Sequence, residues 1–164
     1  MSNHATDFFI LGGNKLNTRE TVFEMMNHLT EEGFILGSQN YREADKYYIV
    51  FTKDLGLVYA SAQGIRKISS KLRYILQNYR YAKIDLVRGK DFWRITSASK
   101  TNELEDLSKP EIIKVVYNIG RLLKRLLQGE EANPKLFEDL INGLSVLEGV
   151  RTEKEAHNVE TVMV

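Results

Sequence analysis

The chain has 164 residues, 43% of them hydrophobic and 27% charged, a composition typical of a soluble globular protein large enough to bury one full core or two small ones. It contains no cysteine, which excludes a disulfide framework or a thiolate zinc site within it and fits a reducing cytoplasm. The longest apolar run near the N-terminus, residues 8–11, is too short for a signal-peptide core, and no stretch approaches a membrane span. We therefore predict a cytoplasmic protein.

The net charge of +1 conceals an uneven distribution along the chain. Residues 33–100 contain thirteen Lys and Arg against five Asp and Glu, whereas the remaining residues contain ten against seventeen. The cationic segment is also rich in tyrosine. Clustered positive charge interleaved with aromatic rings suits a polyanion that carries stackable bases. The sequence therefore predicts a nucleic-acid-binding module over residues 33–100.

Residues 1–32 are predicted to form an N-terminal extension with one helix. Asn17 or Thr18 can cap it, and 31–33, Glu-Glu-Gly, would end it. Its apolar residues recur at helical spacings of three and four: Val22, Phe23, Met26 and Leu29. The favoured role is packing against the next domain, and the alternative is binding of a partner.

After Gly33 the apolar period changes to two, which predicts five strands. The first three should cover residues 34–41, 46–52 and 57–63. The fourth should bury Ala82, Ile84 and Leu86, and the fifth should turn Trp93 and Ile95 inward; on the third, the small Ala60 and Ala62 share a face with Val58. A three-residue loop at 54–56 and a two-residue type II′ loop at 89–90 predict hairpins.

Short strands with tight turns expose their edges to aggregation unless they close on themselves, so we predict a small OB-like barrel. Between its third and fourth strands, residues 69–79 carry apolar side chains at helical spacing. Either a short helix or a plain loop fits this segment.

Residues 101–164 are predicted to form an all-α domain of three helices, so the fold class is α+β. Ser108 with Glu111 predicts a capping box for the first helix, which should end at Gly129. The second helix should begin at 133–134, Asn-Pro, and end at Gly149. The third should begin with a capping box and turn four apolar residues inward: Ala156, Val159, Val162 and Met163. It has no stop signal, which predicts that the helical domain is incomplete.

The segment from residue 33 to 147 resembles the RecO family of bacterial recombination mediators. The matching residues are Tyr41, Glu43 and Asp45, then Phe51-Thr52 and Gly56-Leu57, then Gly64-Ile65-Arg66-Lys67 with Ser69, Ser70 and Lys71, then Leu76-Gln77 and Tyr79, and finally Lys135-Leu136-Phe137 with Leu140. The resemblance implies an OB-fold that binds single- and double-stranded DNA, followed by a helical domain with an inserted four-cysteine zinc site. These 164 residues contain no cysteine, so they supply no ligand for such a site. The resemblance also implies two partners, RecR and the acidic C-terminal tail of the single-strand binding protein.

The candidate DNA contacts are six cations that could bind phosphates: Arg66, Lys67, Lys71, Arg73, Arg88 and Lys90. The candidate stacking rings are Tyr59 and Tyr74, with Phe92 and Tyr41 also to be considered. Gly64 would let the backbone turn so that Arg66 and Lys67 project from the barrel rim. The alternatives are a solvated basic surface and rings that belong to the core.

The apolar faces of the helices are interpreted mainly as core. If an acidic tail docks on them, three cations are plausible contacts: Arg121, Lys124 and Arg125. This choice depends on charge alone.

The sequence gives no support for catalysis, a metal site or a cofactor. The three histidines are scattered, and no phosphate-cradling loop is followed by Lys-Ser or Lys-Thr. Glu43 and Asp45 could hold a metal, but a structural role in binding backbone amides at the turn is favoured. We therefore expect a mediator that binds and anneals single-stranded DNA and helps to load recombinase. The alternatives are an adaptor whose barrel docks an acidic protein and an RNA-binding OB module.

Overall fold

The computed structural model describes residues 28–104 and 107–163, and its first half is a closed barrel of five strands. The strands are β1 (His28–Tyr41), β2 (Asp45–Thr52), β3 (Gly56–Ala62), β4 (Tyr81–Arg88) and β5 (Trp93–Lys100). They close in the order β1-β2-β3-β5-β4, with a short parallel contact between β3 and β5 and antiparallel pairing elsewhere. The predicted five-stranded OB-like barrel is confirmed.

The 14-residue strand β1 closes the barrel because it pairs with two neighbours. Its first half pairs with β4 and its second half with β2, and a bulge between Ile35 and Gly37 bends it between them. The prediction that a helix continues through residues 28–32 is therefore wrong. Those residues are held as a strand by pairing with 83–87, a partner far along the chain that helical spacing cannot reveal. The rest of the predicted N-terminal helix lies outside the described residues.

Two loops differ from their predicted form. The β2–β3 loop has the predicted three residues but covers 53–55, and Gly56, at φ +78°, pairs with Thr52. The predicted two-residue type II′ turn at 89–90 is wrong, because Arg88 pairs with Trp93 and leaves a four-residue loop over 89–92. Gly89 does not adopt the positive φ that a type II′ turn needs, and its N–H donates to the Phe92 carbonyl over 3.1 Å.

The barrel interior is filled by the inward side chains of alternate strand positions. The residues predicted to share these faces do so: Val58, Ala60, Ala62, Ala82, Ile84, Leu86, Trp93 and Ile95. A one-turn helix, α1 (Leu72–Ile75), covers one end, so the short-helix alternative is the correct one. The Tyr48 hydroxyl donates to the Leu76 carbonyl over 3.2 Å and ties this segment to β2. Burial raises the pKa of Tyr48 to about 12, so it remains a donor at neutral pH.

Three longer helices follow: α2 (Pro110–Leu126), α3 (Pro134–Glu148) and α4 (Glu153–Met163). No helix in residues 28–104 or 107–163 combines the length and apolar character needed to cross a membrane.

The caps of α3 and α4 follow the sequence, but both ends of α2 differ from it. The helix ends at Leu126 and not at the predicted Gly129, because Leu127 is already extended. Asn133 caps α3 by accepting from the Leu136 N–H over 3.0 Å, and Thr152 accepts from the Glu155 N–H over 3.3 Å at the start of α4. The capping box predicted from Ser108 is wrong, because the N-cap of α2 is Lys109 and its side chain makes no capping bond. A residue before proline avoids helical backbone angles, and this places the helix start at Pro110.

A second core lies between the barrel's outer face and the helices. Phe137 of α3 is at its centre, with ring centroids 5.3 Å from Phe51 and 6.1 Å from Tyr81. In α4, Ala156 is buried. Val162, predicted to face inward, is 87% exposed, so that prediction is wrong. Apolar spacing predicts which face of a helix is buried, but it does not show whether a neighbouring element extends far enough to cover the last turn.

The linker between α2 and α3 is fixed on the barrel by backbone contacts. The Gly129 carbonyl accepts from the Leu57 N–H over 3.0 Å. A Cβ on Gly56 would lie 2.2 Å from the Glu131 carbonyl oxygen, so only glycine allows the linker to approach β3 this closely. Lys53 adds an ion pair with Glu138 of α3 at 3.5 Å. The linker is therefore attached to the strands that form the candidate site.

Gly120 of α2 packs directly under the ring of Tyr79, and a Cβ there would lie 2.5 Å from Tyr79 Cε1. We predict that Gly120→Ala lowers the free energy of unfolding by about 1–3 kcal/mol, since overpacking outweighs alanine's helix preference of about 1 kcal/mol. In a Tyr79→Ala background the same change should be neutral or stabilising. Urea denaturation of the four proteins measures this coupling, and an equal loss in both backgrounds would contradict the proposed clash.

Candidate nucleic-acid interface

Four aromatic rings form a cluster on the outside of the barrel, near the β1–β2 turn. Tyr47 of β2 is at its centre, with ring centroids 4.9 Å from Phe92, 5.8 Å from Tyr41 and 6.3 Å from Tyr59. Tyr41 and Phe92 also meet edge to face at 6.1 Å. The cluster joins β1, β2, β3 and the β4–β5 loop. Tyr59 remains 45% exposed and offers the cluster's ring surface to solvent.

The period-two geometry of β2 explains why these rings lie outside. Tyr48 and Val50 fill the barrel, so the alternate residue Tyr47 must face outward. The register of β2 on β3 sets Tyr47 opposite Ser61 and Ile49 opposite Tyr59, which puts the two tyrosines on the same face. Partial burial, and then the neighbouring tyrosines and Asp91, raise the pKa of Tyr47. Its ring is therefore neutral at physiological pH.

A cleft of about 320 Å³ lies beside the rings, between the β1–β2 turn and the β4–β5 loop. Tyr41 and Phe92 line it together with four cations: Arg42, Arg88, Lys90 and Arg94. Asp45 and Asp91 also border it, so positive charge predominates without being uniform. Rings and cations at one concave surface can contact the bases and the phosphates of a single strand at the same time.

The Gly64–Lys67 turn braces the β1–β2 turn that forms one wall of this cleft. Gly64, at φ +64°, donates its N–H to Asp45 Oδ1 over 2.8 Å. The Arg66 N–H donates to the Ala44 carbonyl over 3.0 Å, and Arg66 Nη1 donates to the Glu43 carbonyl over 2.8 Å. Asp45 thus has the structural role that the sequence favoured. Arg66 holds the turn, and Lys67 is exposed beside it.

Comparison with known proteins matches this chain to proteins named for recombination and DNA repair. The family model described as "Recombination protein O N terminal" matches residues 26–104. The chain is 29% identical over 116 residues to "DNA repair protein RecO" of Clostridium perfringens, which covers 70% of this chain and 47% of that protein. It is 30% identical over 117 residues to the protein of the same name from Cupriavidus metallidurans, which covers 71% and 39%. The corresponding Dehalococcoides mccartyi protein is 29% identical over 107 residues, which covers 65% and 42%.

Residues 26–104 belong to the RecO N-terminal domain family. The matched residues include all five strands of the barrel and both walls of the cleft. The chain spans about half the length of the relatives it matches.

The structure distributes the predicted DNA contacts over three places. Arg88 and Lys90 line the cleft, and Tyr59 joins it through Tyr47. Arg66 and Arg73 line a neighbouring cavity of about 280 Å³ together with Lys46.

The other predicted contacts lie on or beside α1. Tyr74 is 62% exposed, and the Arg73 guanidinium lies over its ring at 4.8 Å and donates to its hydroxyl over 2.7 Å. Lys71 is the N-cap residue of α1. Lys71 and Tyr74 do not line the 320 Å³ cleft, so their contact with DNA stays a prediction.

Arg88 differs from the other cations of the cleft because it already has an anionic partner. Its Nη1 donates to both carboxylate oxygens of Glu130, over 2.7 Å and 2.6 Å. Its guanidinium also lies 4.8 Å from the centroid of the Trp93 ring, and Trp93 Nε1 donates to Glu130 over 3.0 Å. A phosphate that contacts Arg88 must therefore compete with a carboxylate from the α2–α3 linker.

Three residues of the site were missed by sequence reasoning: Arg42, Arg94 and Tyr47. The outward face of Tyr47 could have been found from the alternation of β2, but its position beside Tyr59 depends on the observed 53–55 loop, which differs from the predicted one by one residue. Arg42 and Arg94 meet only after the barrel closes, and no local pattern indicates that pairing.

The predicted partner contacts lie on α2. Arg121 lies over the ring of Tyr117 at 5.7 Å, and both side chains are exposed. Lys124 turns toward the barrel, where its Nζ would be 3.5 Å from a Cβ on Gly37. Arg125 is exposed on the same helix. Their role as partner contacts remains a prediction.

Within residues 28–104 and 107–163, no group of three or more His, Cys, Asp or Glu side chains is arranged to hold a metal ion.

Proposed function

We propose that this chain acts in recombinational DNA repair by binding single-stranded DNA in the cleft beside the aromatic cluster. The observation that carries the proposal is the convergence of rings and cations between the β1–β2 turn and the β4–β5 loop. Loops in these positions bind oligonucleotides in OB-folds. The names of the relatives, which refer to DNA repair and recombination, support the same process.

The proposed mechanism is binding without chemistry. Lys90, Arg94 and Arg42 would neutralise phosphates and release counterions, while the ring cluster would stack on the bases. Two DNA strands with neutralised phosphates repel each other less, which favours annealing. Neither step requires a reacting group, and a strand bound mainly by exposed charges can be passed to another protein.

The partners in this proposal are those that the family resemblance implies. RecR would associate with the barrel, and the single-strand binding protein would present its acidic tail to Arg121, Lys124 and Arg125. Two features support this choice for the tail. The three residues are cationic, and the half-exposed ring of Tyr117 beside Arg121 adds an apolar contact. Loading of recombinase would then follow from displacement of the single-strand binding protein.

Titration of a fluorescent oligo-dT at several salt concentrations tests the proposal. We expect affinity better than micromolar at low salt, and a logarithmic salt slope of about −0.7 for each phosphate that the protein neutralises on a single strand. Micromolar or weaker binding at low salt, or binding that does not respond to salt, would reject the proposed function. Oligo-U measured in parallel distinguishes an RNA-binding module. Protection of the strand from nuclease distinguishes a nucleic-acid clamp from an adaptor for acidic proteins.

Replacing Phe92 tests whether the ring cluster stacks on bases. Loss of one stack costs about 1–3 kcal/mol, so Phe92→Ala should weaken oligo-dT binding by about 5- to 150-fold. Phe92→Leu keeps an apolar contact with Tyr47 but has no ring to stack on a base. We therefore expect Phe92→Leu to retain most of the stability and still lose most of this affinity. Normal binding by Phe92→Leu would show that the ring only packs the loop.

A further inference from the structure

We infer that Glu130 is an internal competitor for the phosphate of a bound strand, which lowers the affinity of the cleft by occupying Arg88. This inference rests on the proposed function. It starts from the position of Arg88, which lines the cleft with Arg42, Lys90 and Arg94 but donates to both oxygens of the Glu130 carboxylate. A carboxylate held in this way presents to Arg88 the same pair of anionic oxygens that a phosphate would present.

The linker backbone fixes Glu130 in this position. The neighbouring Gly129 accepts a hydrogen bond from Leu57 of β3, and the backbone of Glu131 packs against Gly56. Trp93 Nε1 donates to the same carboxylate, so Glu130 is held from two directions. The Glu130 carboxylate therefore lies at the cleft as part of the fold. A DNA phosphate must displace this carboxylate to contact Arg88, or the DNA must bind without Arg88.

The ion pair is suited to exchange because it is not deeply buried. The Arg88 and Glu130 side chains retain 45% and 41% of their exposure. Exposed pairs contribute little net free energy, since water solvates both partners when they separate. Trp93 would stay beneath the Arg88 guanidinium when the carboxylate leaves. The linker that joins α2 to α3 would thereby respond to occupancy of the cleft.

The test compares Glu130→Gln with Glu131→Gln, an exposed neighbour in the same linker with the same change of charge. The amide oxygen of glutamine can still accept from Trp93, so the linker should stay attached. We expect Glu130→Gln to bind oligo-dT about two- to fivefold more tightly at low salt, the range of one exposed ion pair. Its salt slope should steepen by about 0.7, because one more phosphate is neutralised. Glu131→Gln should change neither quantity appreciably.

A second test removes both members of the ion pair. Because Arg88 and Glu130 cancel each other's charge, the double variant Arg88→Gln with Glu130→Gln should bind oligo-dT about as tightly as the wild type, whereas Lys90→Gln removes a cation from the same cleft and should bind more weakly. Combining Arg88→Gln with Glu130→Gln should abolish the gain from Glu130→Gln. Equal effects of Glu130→Gln and Glu131→Gln, or a persistent gain without Arg88, would overturn the inference while the proposed function stands. Absence of binding by the wild-type chain would overturn both.

Discussion

Exchanging Lys90 and Arg94 for glutamate is expected to weaken single-stranded DNA binding by about 100-fold at low salt. Both residues are exposed and line the cleft on the side of the β4–β5 loop and β5. A hydrogen bond to a charged group contributes about 1.5 kcal/mol or more, and each 1.4 kcal/mol is a factor of ten, so two lost contacts account for the expected effect. The salt slope should become shallower by about 1.4, because two fewer phosphates are neutralised.

A matched control separates the cleft from the net charge of the chain. Lys114 and Lys154 are exposed on α2 and α4, and their exchange for glutamate changes the net charge by the same amount. Measured at 0.1 M salt beside the cleft variant, this variant should lose affinity only slightly, since charges outside the cleft are screened within about 10 Å at that salt concentration. Equal losses in the two variants would show that binding is non-specific attraction to the whole protein.

Arg66 and Lys67 are less suitable for such a test, although the sequence selects them first. Arg66 donates to the carbonyl of Glu43 and supports the β1–β2 turn, so its replacement would alter the wall of the cleft as well as its charge. Lys67→Glu alone tests charge at this turn.

Truncating Phe137 to alanine is expected to lower the free energy of unfolding by about 3–5 kcal/mol. The ring is 1% exposed, and it contacts Phe51 and Tyr81 on the outer face of the barrel. Its loss leaves a cavity where the helices pack against the strands, and the rigid barrel cannot collapse to fill it. Urea denaturation followed by circular dichroism should show a lower midpoint.

Two further variants calibrate this effect. Phe137→Leu keeps most of the volume and should cost less than Phe137→Ala. Val146→Ala, on the same helix at a position 60% exposed, should remain within about 0.5 kcal/mol of the wild type. If Phe137→Ala costs as little as Val146→Ala, the helices do not depend on the barrel for stability.

Much of the architecture is predictable because it depends on short-range chemistry. The change of apolar period at Gly33 predicts strands, the Asn133 and Thr152 caps predict helix starts, and the spacing of the β2–β3 loop predicts a direct hairpin. These features depend on residues within a few positions of one another. The concentration of cations in residues 33–100 is also a property of the sequence alone.

The tertiary structure decided what long-range pairing determines. Residues 28–32 become a strand because β4 is available to pair with them across the closed barrel, against the helical spacing of the preceding residues. Closure likewise brings Arg42 and Arg94 into one cleft and sets Glu130 against Arg88, although the sequence separates these residues widely. The spacing of residues along the chain does not indicate which distant residues become neighbours. The cationic composition is therefore a property of the sequence, whereas the shape of the cleft is a property of the fold.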